Sequence, residues 1–261
     1  MTHIVDEART IARAFVEARR AGTGLPDFPG AMPATLTDAY VVQDHALALA
    51  DGHVAGWKVG KIAPPVDGEN RLAGPIFADQ VFDGATIPAM PVFADGFAAA
   101  EAEFLLRLGA APDPAKTSYT DAEARALVDA VHVGIEVASS PFPGINQHGP
   151  AVTVSDFGNN NGLVVGVPAD GWQDADLNEW PVTLTINGEE IGRATTATML
   201  DGPFGAVRFL LEHMARRGVA LAAGTWVSTG AVTGVHPVKP GDRVVAGFDG
   251  RWTVECSIEA R

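Results

Sequence analysis

Near the start of the chain, apolar residues recur at helical spacing. Ile11, Ala12, Phe15 and Val16 share one face between Glu7 and Arg20, and Gly22 and Gly24 follow as stops, which predicts a first helix. A turn through Pro26, Pro29 and Pro33 leads to a second predicted helix, about Thr37 to Ala50, ending at Gly52. From His53 the texture changes. Short alternating or wholly apolar runs are separated by Gly, Pro, Asp and Asn, the pattern of many strands joined by turns. The clearest hairpin is 182–186, Asn187-Gly188 and 189–196, and Asp249-Gly250 marks another turn. Two helices interrupt the strands. One is predicted from Thr120, with Glu123 completing a capping box, to about Ala130. The other has Pro203 in its first turn and Gly218 past its end, with Val207, Leu210, Leu211 and Met214 on one face. Strands and helices do not alternate regularly, which argues against a doubly wound parallel sheet. The pattern predicts an α+β chain: a helical N-terminal segment over 1–52 packed on a β-rich domain over 53–261.

Composition narrows the setting. A chain of 261 residues buries enough surface to need no disulfide staples. Its one cysteine, Cys256, falls in an alternating run and is read as core packing, so a reducing, cytoplasmic location is expected. No apolar run reaches the ~18–20 residues of a membrane span. The N-terminal residues are acidic where a secretory leader would be basic and then apolar, so no leader is expected. The net charge of −14 disfavours nucleic acid and anionic membranes as partners. A small anionic substrate remains compatible, because a bound divalent cation reverses the local field.

The chemistry concentrates in two apolar runs. In Ala98-Ala-Ala-Glu-Ala-Glu-Phe, read as a strand, Glu101 and Glu103 point to one face and Ala100, Ala102 and Phe104 to the other. In Val131-His-Val-Gly-Ile-Glu-Val, Glu136, Gly134 and His132 share a face. Carboxylates so close in apolar surroundings repel and lose hydration, and a positive group has to offset that. Three of them from two strands suit an oxygen-ligated Mg2+ or Mn2+, whereas no Cys pair or His-x-x-x-His offers a zinc site. Alternating acids on an open sheet are otherwise ordinary solvated residues.

Glu101-x-Glu103 followed by Gly-Ile-Glu136 resembles the metal motif of the fumarylacetoacetate hydrolase superfamily. Gly56-Trp-Lys58-Val-Gly60, Gly74-Pro-Ile-Phe-Ala-Asp79, Asn159-Asn-Asn-Gly162-Leu-Val-Val-Gly166 and Leu221-Ala-Ala-Gly-Thr-Trp-Val-Ser-Thr229-Gly230 resemble its 2-keto-4-pentenoate hydratase/4-oxalocrotonate decarboxylase branch, in order along nearly the whole chain. The resemblance implies a mixed β-roll with Mg2+ or Mn2+ held by Glu101, Glu103 and Glu136. It implies catalytic roles for Lys58 and Asp79, substrate contacts from Asn160, Asn161 and Thr229, and a homo-oligomer. The substrate implied is a small 2-oxo or 2-hydroxydienoic acid. Lys61 is a rival to Lys58 with a weaker claim, and His132 is read as structural. Hydration and decarboxylation both need an electron sink at the 2-oxo group, so the motifs leave both open, with water addition preferred. After Gly60, Lys-Ile-Ala-Pro-Pro replaces the usual Leu-Thr/Ser continuation, which leaves the substrate's distal half unassigned. An acylpyruvate hydrolase is disfavoured, because the third acid is Glu rather than Asp and no His-x-x-Glu occurs. A non-catalytic protein that kept the fold would lack an intact acid triad with Lys58.

Overall fold

The computed structural model describes residues 2–261, with side chains from Asp6 onward. Helix α1 (Thr2–Ala21) buries Ala8, Ile11, Ala12, Phe15 and Val16. Helix α2 (Leu36–Leu49) starts where Thr35 accepts a hydrogen bond from the Asp38 N–H. The two helices pack on one another, and their apolar faces meet Phe77, Phe142, Val152 and Phe157 of the β-rich body.

Thirteen strands follow. They are β1 (Val54–Val66), β2 (Glu69–Phe77), β3 (Val81–Asp83), β4 (Ala89–Val92), β5 (Phe97–Leu108), β6 (Val128–Ser140), β7 (Asn160–Pro168), β8 (Val182–Ile186), β9 (Glu189–Ala194), β10 (Trp226–Ser228), β11 (His236–Pro237), β12 (Arg243–Phe248) and β13 (Trp252–Ala260). The larger sheet runs β2-β1-β10-β5-β6-β7-β3, with β11 also on β5, and the smaller runs β4-β13-β12-β8-β9. Both are mixed: β1–β10, β3–β7 and β4–β13 pair parallel and the other pairs are antiparallel. The expected α+β architecture, mixed sheets with few helices, is the one observed.

β5 joins the two layers and separates their chemistry. On one face Phe104 meets Phe248 of the smaller sheet with ring centroids 5.2 Å apart, beside buried Ala100 and Ala102. The other face carries Glu101, Glu103 and Leu105. Leu105 packs there with Ile76 and Leu163. One strand therefore builds the core with alternate residues and the acidic cluster with those between.

Local signals account for most boundaries. Asn187 and Gly188 both take positive φ, 54° and 85°, as a tight hairpin turn requires, and Asp249-Gly250 does likewise at 53° and 63°. Gly218 closes α5 (Gly202–Arg217) in the left-handed conformation at φ 68°. The Thr120–Glu123 capping box is formed, but helix α3 spans only Asp121–Ala126. The expected continuation to Ala130 is corrected, because Val128 already opens β6 and pairs with Leu108. The ladder of β5 with β6 outweighs helical propensity there. Helix α4 (Pro150–Ser155) had no sequence signal strong enough to separate it from its loop. Cys256 is fully buried in the core, and burial pushes its thiol up to about 12, which fits the packing role.

His213 on α5 is buried between Phe209, stacked at 5.1 Å, and Tyr40 at 4.7 Å, with Nε2 unpartnered. Burial, then Arg217 and Arg216, hold its imidazole down to about 3. The unfolded chain protonates this histidine near pH 6.5 while the folded one keeps it neutral. Its stabilising contribution is complete above pH ~6.5 and is lost as pH falls toward 3, at up to about 1.4 kcal/mol per pH unit. Replacing His213 with Leu, which cannot charge, is expected to shrink the loss of stability between pH 7 and pH 5. Urea denaturation at the two pH values reads this, and an undiminished loss would remove His213 as its source.

Candidate active site

The antiparallel ladder of β5 with β6 sets Glu101 directly opposite Glu136, and Glu103 opposite Gly134. Each of the three acids has a carboxylate oxygen within 4.8 Å of one from each of the others, and all three are buried. Lys58 arrives from β1, which is separated from β6 by β10 and β5. Along the ladders Lys58 stands level with His132, four residues from Glu136, so three strand spacings and that offset would set the two backbones roughly 19 Å apart on a flat sheet. Lys58 Nζ nonetheless stands 3.0 Å from Glu136 Oε1, so the sheet curls and its concave face encloses the cluster.

Around this cluster the donors are specific. Asn160 Nδ2 donates to Glu136 Oε1 at 2.9 Å. Ser228 Oγ and the Gly230 N–H both donate to Glu103 Oε2, the latter at 2.8 Å. Lys58 Nζ also donates to Asn159 Oδ1 at 3.0 Å, and Asn159 Nδ2 donates to Asn146 Oδ1 at 3.0 Å. Three buried oxygens receive nothing: Glu103 Oε1, Glu136 Oε2 and Asn160 Oδ1. Buried oxygens without a donor are rare and costly. A hard cation with oxygen ligands satisfies acids of this kind at once, so the residues present fit such an ion.

Electrostatics agree. Burial lifts the Glu101 carboxyl to about 7, with Lys58 lowering it and Glu136 raising it. Burial lifts Glu103 well above the carboxylate range, and Glu136 and Glu101 add to it against Lys58 and the Ser228 hydrogen bond. Burial pushes Lys58 down, but Glu136, Glu101 and Glu103 outweigh it and hold the ammonium form. One ammonium does not balance three carboxylates, and without a further cation Glu101 and Glu103 both favour their protonated forms.

The support beneath the cluster was not legible as chemistry. Phe157, Gly158 and Asn159 take positive φ in succession, at 53°, 63° and 58°, which presents Asn159 to Lys58. For the non-glycine members this conformation costs on the order of 1–2 kcal/mol each. Gly74 allows the turn to sit close, because a Cβ there would lie 2.1 Å from Phe157 O. Arg19 of α1 clamps the start of the turn: Nη2 lies 2.9 Å from Asp156 Oδ2, Nε binds the other oxygen, and Nη2 also reaches Ser139 O at 3.0 Å. Arg19 and Asp156 are both buried.

Not every singled-out residue joins the cluster. Lys58, Glu101, Asn159, Thr229 and Gly230 line a cavity of about 770 Å3, and Asn160 stands behind it against Glu136. Thr229 Oγ1 donates to Phe104 O at 2.8 Å, so its hydroxyl proton is spent on backbone. Asn161 turns away: its Nδ2 donates to Pro91 O, and its Oδ1 accepts from Arg19 and Arg261. Asp79 is exposed on a short turn after β2 and is not among the residues lining the cavity. Lys61 is exposed at the cavity mouth, and His132 Nδ1 lies 2.7 Å from Gly166 O in a structural contact. Asn159 was missed as a partner of Lys58, and Ser228 and Gly230 as partners of Glu103, since nothing local distinguishes them from ordinary turn or strand-end residues.

Two outcomes follow from this geometry. Raised carboxyl values mean that protons compete with a cation, and in the cation-free fold stability falls as pH rises from about 4.5 to about 7. Addition of Mg2+ or Mn2+ is therefore expected to raise the melting temperature, and by more at pH 8 than at pH 6. Thermal melts in EDTA and in excess metal check this. Arg19→Ala leaves Asp156 buried and unpaired and is expected to cost about 3–5 kcal/mol. Chemical denaturation measures it, and a loss under 1 kcal/mol would deny the clamp its role.

Residues 80–259 match the model of the fumarylacetoacetate (FAA) hydrolase C-terminal family. A 2-keto-4-pentenoate hydratase of Paraburkholderia phymatum is 28% identical over 85% of this chain and 86% of its own length. A 4-oxalocrotonate decarboxylase of Pseudomonas sp. (strain CF600) is 31% identical over 41% of this chain, a match spanning only 39% of that relative. A solved structure of 4-oxalocrotonate decarboxylase from Pseudomonas putida G7, complexed with magnesium and adipate, superposes with a TM-score of 0.81 at 22% identity, covering 97% of both chains. Among the described residues, no helix is long and apolar enough to cross a membrane. With the family model covering well over half of the sequence, the chain belongs to the fumarylacetoacetate hydrolase family.

Proposed function

We propose that the protein is a divalent-metal-dependent hydratase of 2-hydroxypenta-2,4-dienoate-type acids, with Mg2+ or Mn2+ held by Glu101, Glu103 and Glu136. The observation that carries this reading is three buried carboxylates around one centre, with a lysine ammonium 3.0 Å from the third. When bound, the cation supplies Lewis acidity toward the carboxylate and 2-oxo oxygens of such an acid. The magnesium and manganese in solved relatives of the same fold support this choice of ion.

The chain's own residues supply the rest. Lys58 has three N–H donors, and Glu136 and Asn159 take two. The third serves the cavity that Lys58 lines. In hydration the 2-hydroxyl gives up its proton as the terminal carbon C5 gains one, leaving a 2-oxo-3-enoate, and water then adds across C3=C4 with its hydroxyl on C4 and its proton on C3. In this reading the Lys58 ammonium delivers the proton to C5 and holds negative charge on the substrate's oxygens. Asn146 fixes the Asn159 amide so that its oxygen faces Lys58. Asn160 holds Glu136 in place. The backbone around Thr229 and Gly230 borders the cavity and fixes Glu103. Asp79 has a place in this scheme only if substrate binding draws its turn inward. Alignments with hydratases that run over 85–95% of the chain support water addition.

Decarboxylation is the second reading. It is favoured by the 30–31% identity to 4-oxalocrotonate decarboxylases over shorter stretches. It uses the same electron sink, with loss of CO2 in place of water addition. Purified protein with Mg2+ or Mn2+ is expected to bleach 2-hydroxypenta-2,4-dienoate without releasing CO2. CO2 from 2-oxohex-3-enedioate would establish the decarboxylase instead, and acylpyruvate cleavage with neither reaction would overturn both. Glu103→Gln is expected to lower turnover at least 100-fold and to weaken metal binding, because it removes charge from an acid that no lysine touches. Calorimetric titration with Mn2+ checks the second half, and unchanged affinity would sink the ligand assignment.

A further inference from the structure

We infer that the outer half of the cavity is an apolar subsite, and that the preferred acid carries an aryl or branched-alkyl group on the carbon farthest from its carboxylate. This rests on the reaction centre proposed above. A volume of about 770 Å3 falls in the range that encloses drug-sized ligands, roughly 300–1,000 Å3. A five-carbon acid leaves most of that space to water.

The apolar wall begins beside the reacting groups. Gly60 lies two residues beyond Lys58 on β1 and pairs with Leu72, and a Cβ on Gly60 would stand 3.3 Å from Leu72 Cδ1. Beside β1, a Cβ on Gly230, the residue whose N–H holds Glu103, would lie 3.0 Å from Met199 Cε and 3.1 Å from Val59 O, so Met199 adjoins this wall. Ile62 and Val66 extend the wall through the irregular end of β1, where pairing with β2 lapses between Lys61 and Val66. Leu200 and Val235 stand at the mouth, 44% and 49% exposed, and Leu200 is held at φ 50°. Large apolar side chains kept open at the mouth of a pocket that continues to the reaction centre are the surface an apolar substituent would cover.

A second carboxylate is the competing occupant, and charge decides against it. The cations in this half are Lys61 and Arg71, which are cross-strand neighbours. Arg71 is committed to Asp201, which Arg208 also binds. Lys61 is exposed, and an exposed ammonium changes affinity for a carboxylate by about fivefold or less. Withdrawing a whole ring from water onto Ile62, Leu72, Met199 and Leu200 is expected to give tenfold or more.

The test uses the full chain with Mg2+ and three saturated, unreactive acids in calorimetry. 5-Phenyl-2-oxopentanoate is expected to bind at least tenfold tighter than 2-oxopentanoate, and 2-oxoadipate no more than about fivefold tighter. The double variant Leu200→Asp/Val235→Asp changes two exposed positions, so folding is preserved, and it is expected to reduce the phenyl preference to threefold or less. Equal binding of the phenyl and unsubstituted acids overturns the subsite, as does tighter binding of 2-oxoadipate than of the phenyl acid. Turnover of 2-hydroxypenta-2,4-dienoate is measured separately. Its absence, with phenyl preference intact in binding, counts against the proposed reaction and leaves the subsite standing.

Discussion

A carboxylate buried without compensation is among the costliest arrangements a fold can carry, and this one places three on a single concave face. Lys58 offsets one of the three charges, through Glu136. Ser228, Gly230 and Asn160 supply donors to individual oxygens but no charge. What remains is a concentrated negative field with unsatisfied oxygens, which a divalent cation neutralises. The surrounding architecture keeps these groups together against their mutual repulsion.

That holding force comes mainly from the opposite face of the same strands. Phe104, Ala100 and Ala102 of β5, with Val133, Ile135 and Val137 of β6, are fully buried against the smaller sheet. Apolar burial of this extent, at roughly 25 cal/mol per Å2, fixes the register that sets Glu101 opposite Glu136. A slip of one residue would carry the acids into the core, so packing on one face enforces chemistry on the other. The Arg19–Asp156 pair performs a similar service for the strained turn at 157–159. Helix α1 thus supports the site through a residue distant from it in sequence.

Hydration and decarboxylation share their electron sink, so the difference between them lies outside the acid triad. The cavity's outer wall differs from its inner one in kind: glutamate, lysine and asparagine give way to Ile62, Leu72, Met199 and Leu200. Under the proposed function, reactivity belongs to the polar part of the cavity and specificity to the apolar part. The residues after Gly60, where the sequence leaves the pattern it resembles, line the apolar part.

Local rules determined a good deal. Period-two alternation put Glu101 and Glu103 on one face, because strand side chains alternate regardless of what surrounds them. Asn187-Gly188, Asp249-Gly250, the Thr120–Glu123 box and Gly218 marked their turns and caps through backbone preferences that act over a few residues. The end of α3 was not legible, since Val128 was claimed by a strand remote in sequence. Only the tertiary structure decided that Lys58 reaches Glu136 across two intervening strands, which depends on the curl of the whole sheet. It likewise decided that Asn159 rather than Asn161 meets Lys58, that Thr229 spends its hydroxyl on backbone, and that Asp79 stays in solvent. Residue type and spacing state what a side chain can do; which neighbour it meets depends on contacts between segments far apart in the chain.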